Sequence, residues 1–270
     1  MQLDPIAREA GVRLEALGTV RSTNEEARLR AQRGARAPLW ITAVAQTRGR
    51  GRMDRSWISP PGNLYASLLL YDPSPFERAS ELAFVTALAL RDAVIAEAPA
   101  LTSQLAFKWP NDLLLADEKC AGILIEGEVQ VDQSETRRSL SMVIGIGVNC
   151  QSHPPAATYP ATDLRGHGAD ITSEALFQRL SATMCRRMAQ WDRGEGFLAI
   201  LGDWLAAARG IGEEITVHDL GSEKHGRFVG LDQSGRLVLE LPGGKLKKIA
   251  AGDVFPLSVR GGLRIPSGQA

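Results

Sequence analysis

The chain has 270 residues, enough for a large core and a second, smaller domain. Its 31 basic and 31 acidic residues cancel, so no net field selects nucleic acid over other partners and any basic site has to be local. No apolar run reaches the length of a membrane span, and residues 1–18 carry acids and no apolar signal core, so no membrane partner is expected and the cytoplasm is the expected compartment.

The three cysteines, Cys120, Cys150 and Cys185, are odd in number and widely spaced, which excludes a disulfide framework and a zinc pattern and reads as reduced thiols. The four histidines are scattered and none is assigned a role. In chain order, residues 18–34 hold Ser22, Thr23 and Asn24 ahead of an acidic-then-basic helical segment closed by Gly34. These side chains suit a helix N-cap, which is enough to account for them, and they can also present hydroxyl and amide groups to a polar ligand at a helix entrance. Residues 39–45 form a β-branched apolar strand that delivers Gln46 and the stretch QTRGRGRMDRSW at its carboxyl end. There Gly49 and Gly51 can take positive φ and converge backbone N–H groups on an anion, while Arg48, Arg50, Arg52 and Arg55 supply forked donors, and a solvated basic loop or a nucleic-acid contact suits the stretch as well as a nucleotide site. The stretch matches neither a P-loop nor a dinucleotide fingerprint. A strand follows over residues 64–71.

Residues 80–97 carry alanine and leucine on almost every face, which predicts a buried helix ended by Pro99. A short strand over 105–108 runs into Trp109-Pro110-Asn111-Asp112, a turn that gathers Lys108, an amide and a carboxylate, as Mg²⁺-bound phosphates would require. Residues 113–115, 121–129 and 140–148 continue the sheet as antiparallel strands, with an exposed hairpin tip over 132–138. Lys119 and Gly122 stand at a strand entrance. Gly145 and Gly147 interrupt the last of these strands before Asn149, and such strand glycines allow close approach of a ligand or of another backbone. Two helices are predicted, over 173–191 and 196–208; Leu176, Leu180, Met184 and Met188 make a core stripe on the first. After residue 209 the pattern becomes short β-runs at 215–218, 226–231, 237–241 and 247–249, a small barrel-like domain by spacing, and the Gly/Pro/Ser-rich residues 261–270 are expected to be a flexible tail.

Laid side by side, these stretches resemble a biotin-protein ligase. Ser22-Thr23-Asn24 is similar to that family's biotin-contacting triplet, Gln46 with Gly49-Arg50-Gly51-Arg52 to its adenylate loop, and Trp57 to the tryptophan after the loop. Lys108-Trp109-Pro110-Asn111-Asp112 matches its KWPND signature, Lys119 and Gly122 its K-L-A-G-I-L segment, and residues 145–149 its G-x-G-x-N strand. The resemblance implies an α+β fold in which a mixed, largely antiparallel sheet packs with helices, a class II synthetase-like biotin/lipoate ligase domain over residues 1–209, followed by an SH3-like β-barrel over 210–260. It also implies biotin contacts from Ser22, Thr23, Asn24, Gln46, Gly49, Arg50, Gly51, Arg52, Lys119 and Gly122. Contacts to ATP or the adenylate are implied for Arg50, Arg52, Trp57, Asn111, Lys119 and Asn149, with Mg²⁺ entering on the phosphates near Asn111 or Asp112.

The activity implied is ATP-dependent formation of biotinyl-5′-AMP and transfer to a lysine of a biotin carboxyl carrier protein, with Arg50, Arg52, Lys119 and Asp112 catalytic. Trp57 and Trp109 either wall the ligand or belong to the core. Asp54 replaces a family glycine and Cys120 a family leucine, and Cys120 is read as a core residue. The short segment before Ser22 leaves no room for a winged helix-turn-helix, so no DNA partner is expected. A lipoate or octanoate ligase or transferase of the same superfamily, and a non-catalytic biotin sensor, remain open alternatives.

Overall fold

The computed structural model describes residues 1–131, 138–155, 159–219, 222–250 and 252–256, and forms two compact units. The first comprises 1–107 and 111–207; the second comprises 108–110 and 208 onward.

The first unit begins with a short helix α1 (Pro5–Glu9), β1 (Arg13–Val20), α2 (Thr23–Gln32), β2 (Leu39–Gln46) and β3 (Leu64–Tyr71). Then come α3 (Leu82–Glu97), β4 (Leu105–Lys108), β5 (Asp112–Leu115), β6 (Glu118–Val131), β7 (Arg138–Val148), α4 (Ser173–Trp191) and α5 (Phe197–Leu205). The sheet has seven strands in the order β1-β2-β3-β7-β6-β5-β4. β1 runs parallel to β2, while the β2–β3, β3–β7, β7–β6 and β6–β5 pairs are antiparallel. The mixed, largely antiparallel sheet packed with helices is therefore present. The expected helix over 80–97 starts later, because residues 76–81 wind as a 3₁₀ turn before α3.

Side chains on paired strands alternate between two faces. Leu39, Ile41, Leu69 and Val143 share one face with Ala27 and Ala31 of α2. On the other face Trp40 meets Phe177 of α4 edge-on, with ring centroids 5.5 Å apart. Leu176, Leu180 and Met184 are buried as the stripe requires, and Met188 is half-buried. No described helix is long and apolar enough to cross a membrane.

The second unit is an antiparallel sheet of five strands, β8 (Glu214–Asp219), β9 (Ser222–Leu231), β10 (Leu237–Glu240), β11 (Leu246–Ile249) and β12 (Asp253–Pro256), ordered β11-β10-β9-β8-β12. Trp109 belongs to this unit: it is buried, and its indole Nε1 donates to the Gly235 carbonyl at 3.0 Å. The ligand-wall reading of Trp109 gives way to a core role, because a buried indole N–H needs an acceptor and Gly235 supplies it. The hairpin tip expected at residues 132–138 lies outside the described residues apart from the backbone of Arg138, as do the side chain of Asp54 and the tail 261–270.

Candidate active site

The site residues gather on the α2 face of the sheet. Register pairs Gly147 with both Tyr65 and Gly122, and Gly145 with both Ser67 and Leu124, so the three glycines line one strip of this face. Each lacks a side chain because something lies on it. A Cβ on Gly145 would collide with Asn24 Oδ1, one on Gly147 would come within 2.6 Å of the Trp57 indole, and one on Gly122 within 3.2 Å of the same ring. The close approach expected from these glycines is thus occupied by the chain's own side chains.

Ser22 is the N-cap of α2, yet its side chain makes no capping bond. Gln46 serves the first N–H of the helix instead: Gln46 Oε1 accepts from the Thr23 N–H at 2.8 Å and from Thr23 Oγ1 at 3.1 Å, while Gln46 Nε2 donates to Ser59 Oγ at 2.9 Å. A capping side chain would serve the next two N–H groups, and that of Ser22 does not do so. Asn24 Oδ1 accepts from Ser67 Oγ at 2.6 Å, and Asn24 Nδ2 donates to Glu126 Oε2 at 2.7 Å. Arg50 Nη2 donates to both oxygens of Glu126, at 3.0 and 3.1 Å. One network therefore joins β2, α2, β3, β6 and the glycine-arginine loop.

Neither Gly49 nor Gly51 has positive φ; in this loop it is Met53 that does, at 50°. Gly49 is needed for a different reason, since a Cβ there would run into the Trp57 carbonyl. The loop N–H groups are also engaged: Arg48 N donates to the Arg21 carbonyl at 2.8 Å, Gly51 N to that of Arg55 at 2.7 Å, and Trp57 N to that of Gly49 at 2.9 Å. These N–H groups are therefore not free to converge on an anion, which leaves the loop's cationic side chains as candidates for that task.

Arg52 is half-buried and its Nη1 donates to Asn111 Oδ1 at 3.3 Å, while Asn111 Nδ2 donates to the Ile123 carbonyl at 2.6 Å. Burial pushes the Arg52 guanidinium's pKa down; Asp112 opposes the shift and Arg55 adds to it. Asp112 opens β5 opposite Gly122, and Lys119 Nζ lies 2.7 Å from its Oδ1 and 5.4 Å from the centroid of the Trp57 ring, a cation–π distance. The Trp57 Nε1 is buried without a hydrogen-bond partner. A buried indole N–H in that condition is costly, and a ligand oxygen would satisfy it. Asn149 is buried, and its Nδ2 donates to the Thr162 carbonyl at 3.0 Å. It ties the following loop to the Lys119 backbone, which Thr162 N and the Pro160 carbonyl bracket at 3.0 and 2.8 Å.

Cys120 is fully buried, its Sγ sits 3.4 Å from the Leu113 carbonyl, and burial pushes its thiol far up in pKa, as a core residue and not a nucleophile requires. Among the described residues no cluster of three His, Cys, Asp or Glu side chains could hold a metal. That donor set fits Mg²⁺ carried on phosphates, which takes one or two carboxylates and keeps its waters. Asn111 is engaged with Arg52 and Ile123, and Asp112 with Lys119 at 2.7 Å, so a phosphate-borne Mg²⁺ would meet Asp112 as a carboxylate already paired.

Sequence reasoning passed over Ser67 and Glu126. The only signals were a hydroxyl inside the apolar run LYASLLLY and an acid closing GILIE.

Residues 18–149 match the biotin/lipoate A/B protein ligase family and residues 210–255 the biotin protein ligase C-terminal domain. The chain is 38% identical over 241 residues to the biotin–[acetyl-CoA-carboxylase] ligase of Paracoccus denitrificans, covering 87% of this chain and 96% of that protein. It is 32% identical to the protein of the same name from Mycobacterium tuberculosis, over 90% of this chain and 89% of that one. The biotin protein ligase of Aquifex aeolicus in complex with biotin and ATP superposes with a TM-score of 0.73 at 25% identity, over 90% of this chain and 97% of that one. With this identity running through nearly the whole length of a curated relative, the chain belongs to the biotin–protein ligases, enzymes of the biotin/lipoate A/B protein ligase family.

Proposed function

We propose that this chain activates biotin with ATP, as biotinyl-5′-AMP, and transfers the biotinyl group to a lysine of a biotin carboxyl carrier protein of a carboxylase. The observation that carries the reading is the gathering of Lys119, Arg50 and Arg52 beside the strip of Gly122, Gly145 and Gly147, where Asn24 and Trp57 already lie on the glycines and the Trp57 Nε1 has no partner. Cations around an unpartnered indole N–H suit a ligand with an anionic end.

In the first step a carboxylate oxygen of biotin attacks the α-phosphorus. The bond from that phosphorus to the bridging oxygen breaks, and pyrophosphate leaves with the electron pair. Two anions have to meet, so the step depends on preorganised positive charge, supplied by Lys119, Arg50 and Arg52. When bound, Mg²⁺ neutralises phosphate charge, and Asp112 is the residue that would hold it. Ser22, Thr23, Asn24, Gln46, Gly49, Gly51 and Gly122 shape the biotin side. Trp57 covers it and offers its unpartnered Nε1 to a ligand oxygen. Asn111 and Asn149 act on the nucleotide side through the groups they hold, Arg52 and the loop beside Lys119.

In the second step the acceptor amine attacks the acyl carbon, AMP leaves with the C–O pair, and the nitrogen gives up a proton. Asp112 steers that amine, since a carboxylate fixed by Lys119 offers a defined electrostatic target. All these residues lie in the first unit, to which the chemistry is assigned. The reaction belongs in the cytoplasm, where ATP and carboxylases meet.

The test is incubation with ATP and Mg²⁺ in the presence of biotin, lipoate or octanoate, with detection of the acyl-adenylate by mass spectrometry. Biotinyl-5′-AMP is the expected product. Lipoyl- or octanoyl-AMP in its place would move the chain to the sister activities, and no adenylate at all would leave a biotin sensor.

A further inference from the structure

Glu126 is an acid in a site for anions, where its charge has the wrong sign for a carboxylate or phosphate ligand. It stands on β6 opposite Val143, at the border of the apolar cluster under α2, so packing does not call for it. Both of its oxygens face the site's own groups: Oε2 accepts from Asn24 at 2.7 Å, and Arg50 Nη2 lies 3.0 and 3.1 Å from the two oxygens. The side chains of Arg50 and Glu126 are 38% and 35% exposed, and a pair that open to water contributes little to stability. A weak pair is, however, well suited to exchange.

We propose that Glu126 is a positioning residue, a resident carboxylate that occupies Arg50 until an anionic ligand displaces it, while it keeps hold of the Asn24 amide throughout. Three features of the site support the assignment. Arg48, Arg50, Arg52 and Arg55 crowd one short loop, and an internal counter-anion relieves their repulsion while no ligand is bound. Asn24 has its oxygen fixed by Ser67 and its nitrogen by Glu126, so the amide keeps one orientation after Arg50 has left. The two partners come from the two stretches that any ligand of this site must bridge, so a single side chain sets their spacing in advance. The identity of the displacing anion rests on the ligase reading, whereas the exchange itself does not.

Glu126→Gln separates the roles, because a glutamine oxygen still accepts from Asn24 but gives Arg50 no charge. In the full chain without ligand, amide hydrogen exchange over residues 49–57 is expected to speed up by about two- to five-fold, the range for loss of an exposed ion pair. By calorimetry, inorganic pyrophosphate is expected to bind more tightly by a similar factor, while biotin affinity changes by less than about two-fold. Glu126→Ala, which also frees Asn24, is expected to weaken biotin in addition. Unchanged loop exchange, or weaker pyrophosphate binding, in Glu126→Gln overturns the proposal.

Wild-type protein gives a test that needs no variant. Raising salt from about 0.05 to about 0.5 M screens the pair and is expected to speed loop exchange relative to the amides of α4. Salt-independent exchange overturns the proposal as well. A wild-type protein that makes no biotinyl-adenylate sinks the ligase reading, while the exchange measurements, made without ligand, still decide the role of Glu126.

Discussion

The two faces of the seven-stranded sheet are written in the same strands and have opposite characters. On β7, Met142, Ile144, Ile146 and Val148 are buried, whereas the alternate positions from 143 onward read Val143, Gly145 and Gly147. One face keeps its side chains and packs towards α4 through Trp40. The other is stripped of them from Gly145 on and covered by polar groups and an indole on loan from α2 and the loop. A period of two thus lets one strand serve as a wall of the core and as the floor of a site. Mutations on the two faces should then fail in different ways.

The sharpest contrast is between neighbours. Gly145→Ala places a methyl group where Asn24 Oδ1 lies and breaks the network to Ser67 and Glu126. Adenylate formation by the folded protein is expected to fall by about 100-fold or more, roughly 3 kcal/mol of transition-state stabilisation, beside a loss of about 1–3 kcal/mol of stability from the broken buried hydrogen bonds. Ile146→Ala, on the other face, removes a buried side chain and is expected to cost about 2–5 kcal/mol of stability while the folded protein keeps most of its turnover. A Gly145→Ala protein that unfolds yet turns over normally when folded would erase the distinction between the faces.

Lys119→Gln comes next. Removing the ammonium that sits between Asp112 and Trp57 is expected to lower adenylate formation by about two orders of magnitude, ~3 kcal/mol, with the fold intact by circular dichroism. Turnover like that of wild type would make Lys119 an ordinary turn lysine.

The second unit gives the smallest expected effect and a control on a residue that is not among the candidate site residues. Burial alone would raise the pKa of Asp232, but the Arg236 side chain, the N–H groups of Arg236 and Ser234, and Lys248 outweigh it and hold the carboxyl down at about 2. An unfolded aspartate titrates at about 3.9, so this stabilisation is present above about pH 4 and is lost as pH falls from there towards about 2. Chemical denaturation across that window, compared with Asp232→Asn, should show the slope in the wild type and a reduced slope in the variant.

Long apolar elements were legible in the sequence because burial on a regular period leaves a pattern. β3 and α4 begin and end where the residues indicate. β1 was not read, since Arg13 and Glu15 interrupt a half-exposed edge strand whose partner, β2, lies far along the chain. At the site, glycines and cations announced themselves by type, whereas Ser67 and Glu126 carried no such mark. Their importance lies in pairing with Asn24 across 43 and 102 residues, and no local pattern encodes a separation of that kind. The positive φ that glycine allows is used by neither Gly49 nor Gly51: Gly49 is needed for contact, not for its torsion angles.

The buried Trp109 also has a history in time. Its hydrogen-bond acceptor, Gly235, lies 126 residues further along the chain. At synthesis rates of about 5–20 residues per second, roughly 6–25 s separate the emergence of the two from a ribosome. For that interval the indole has neither its acceptor nor the strands of its own unit, although β4 and β5 on either side of it are already made. A pause in translation before Gly235 therefore prolongs the time for which one large apolar ring in the middle of the nascent chain lacks its partners.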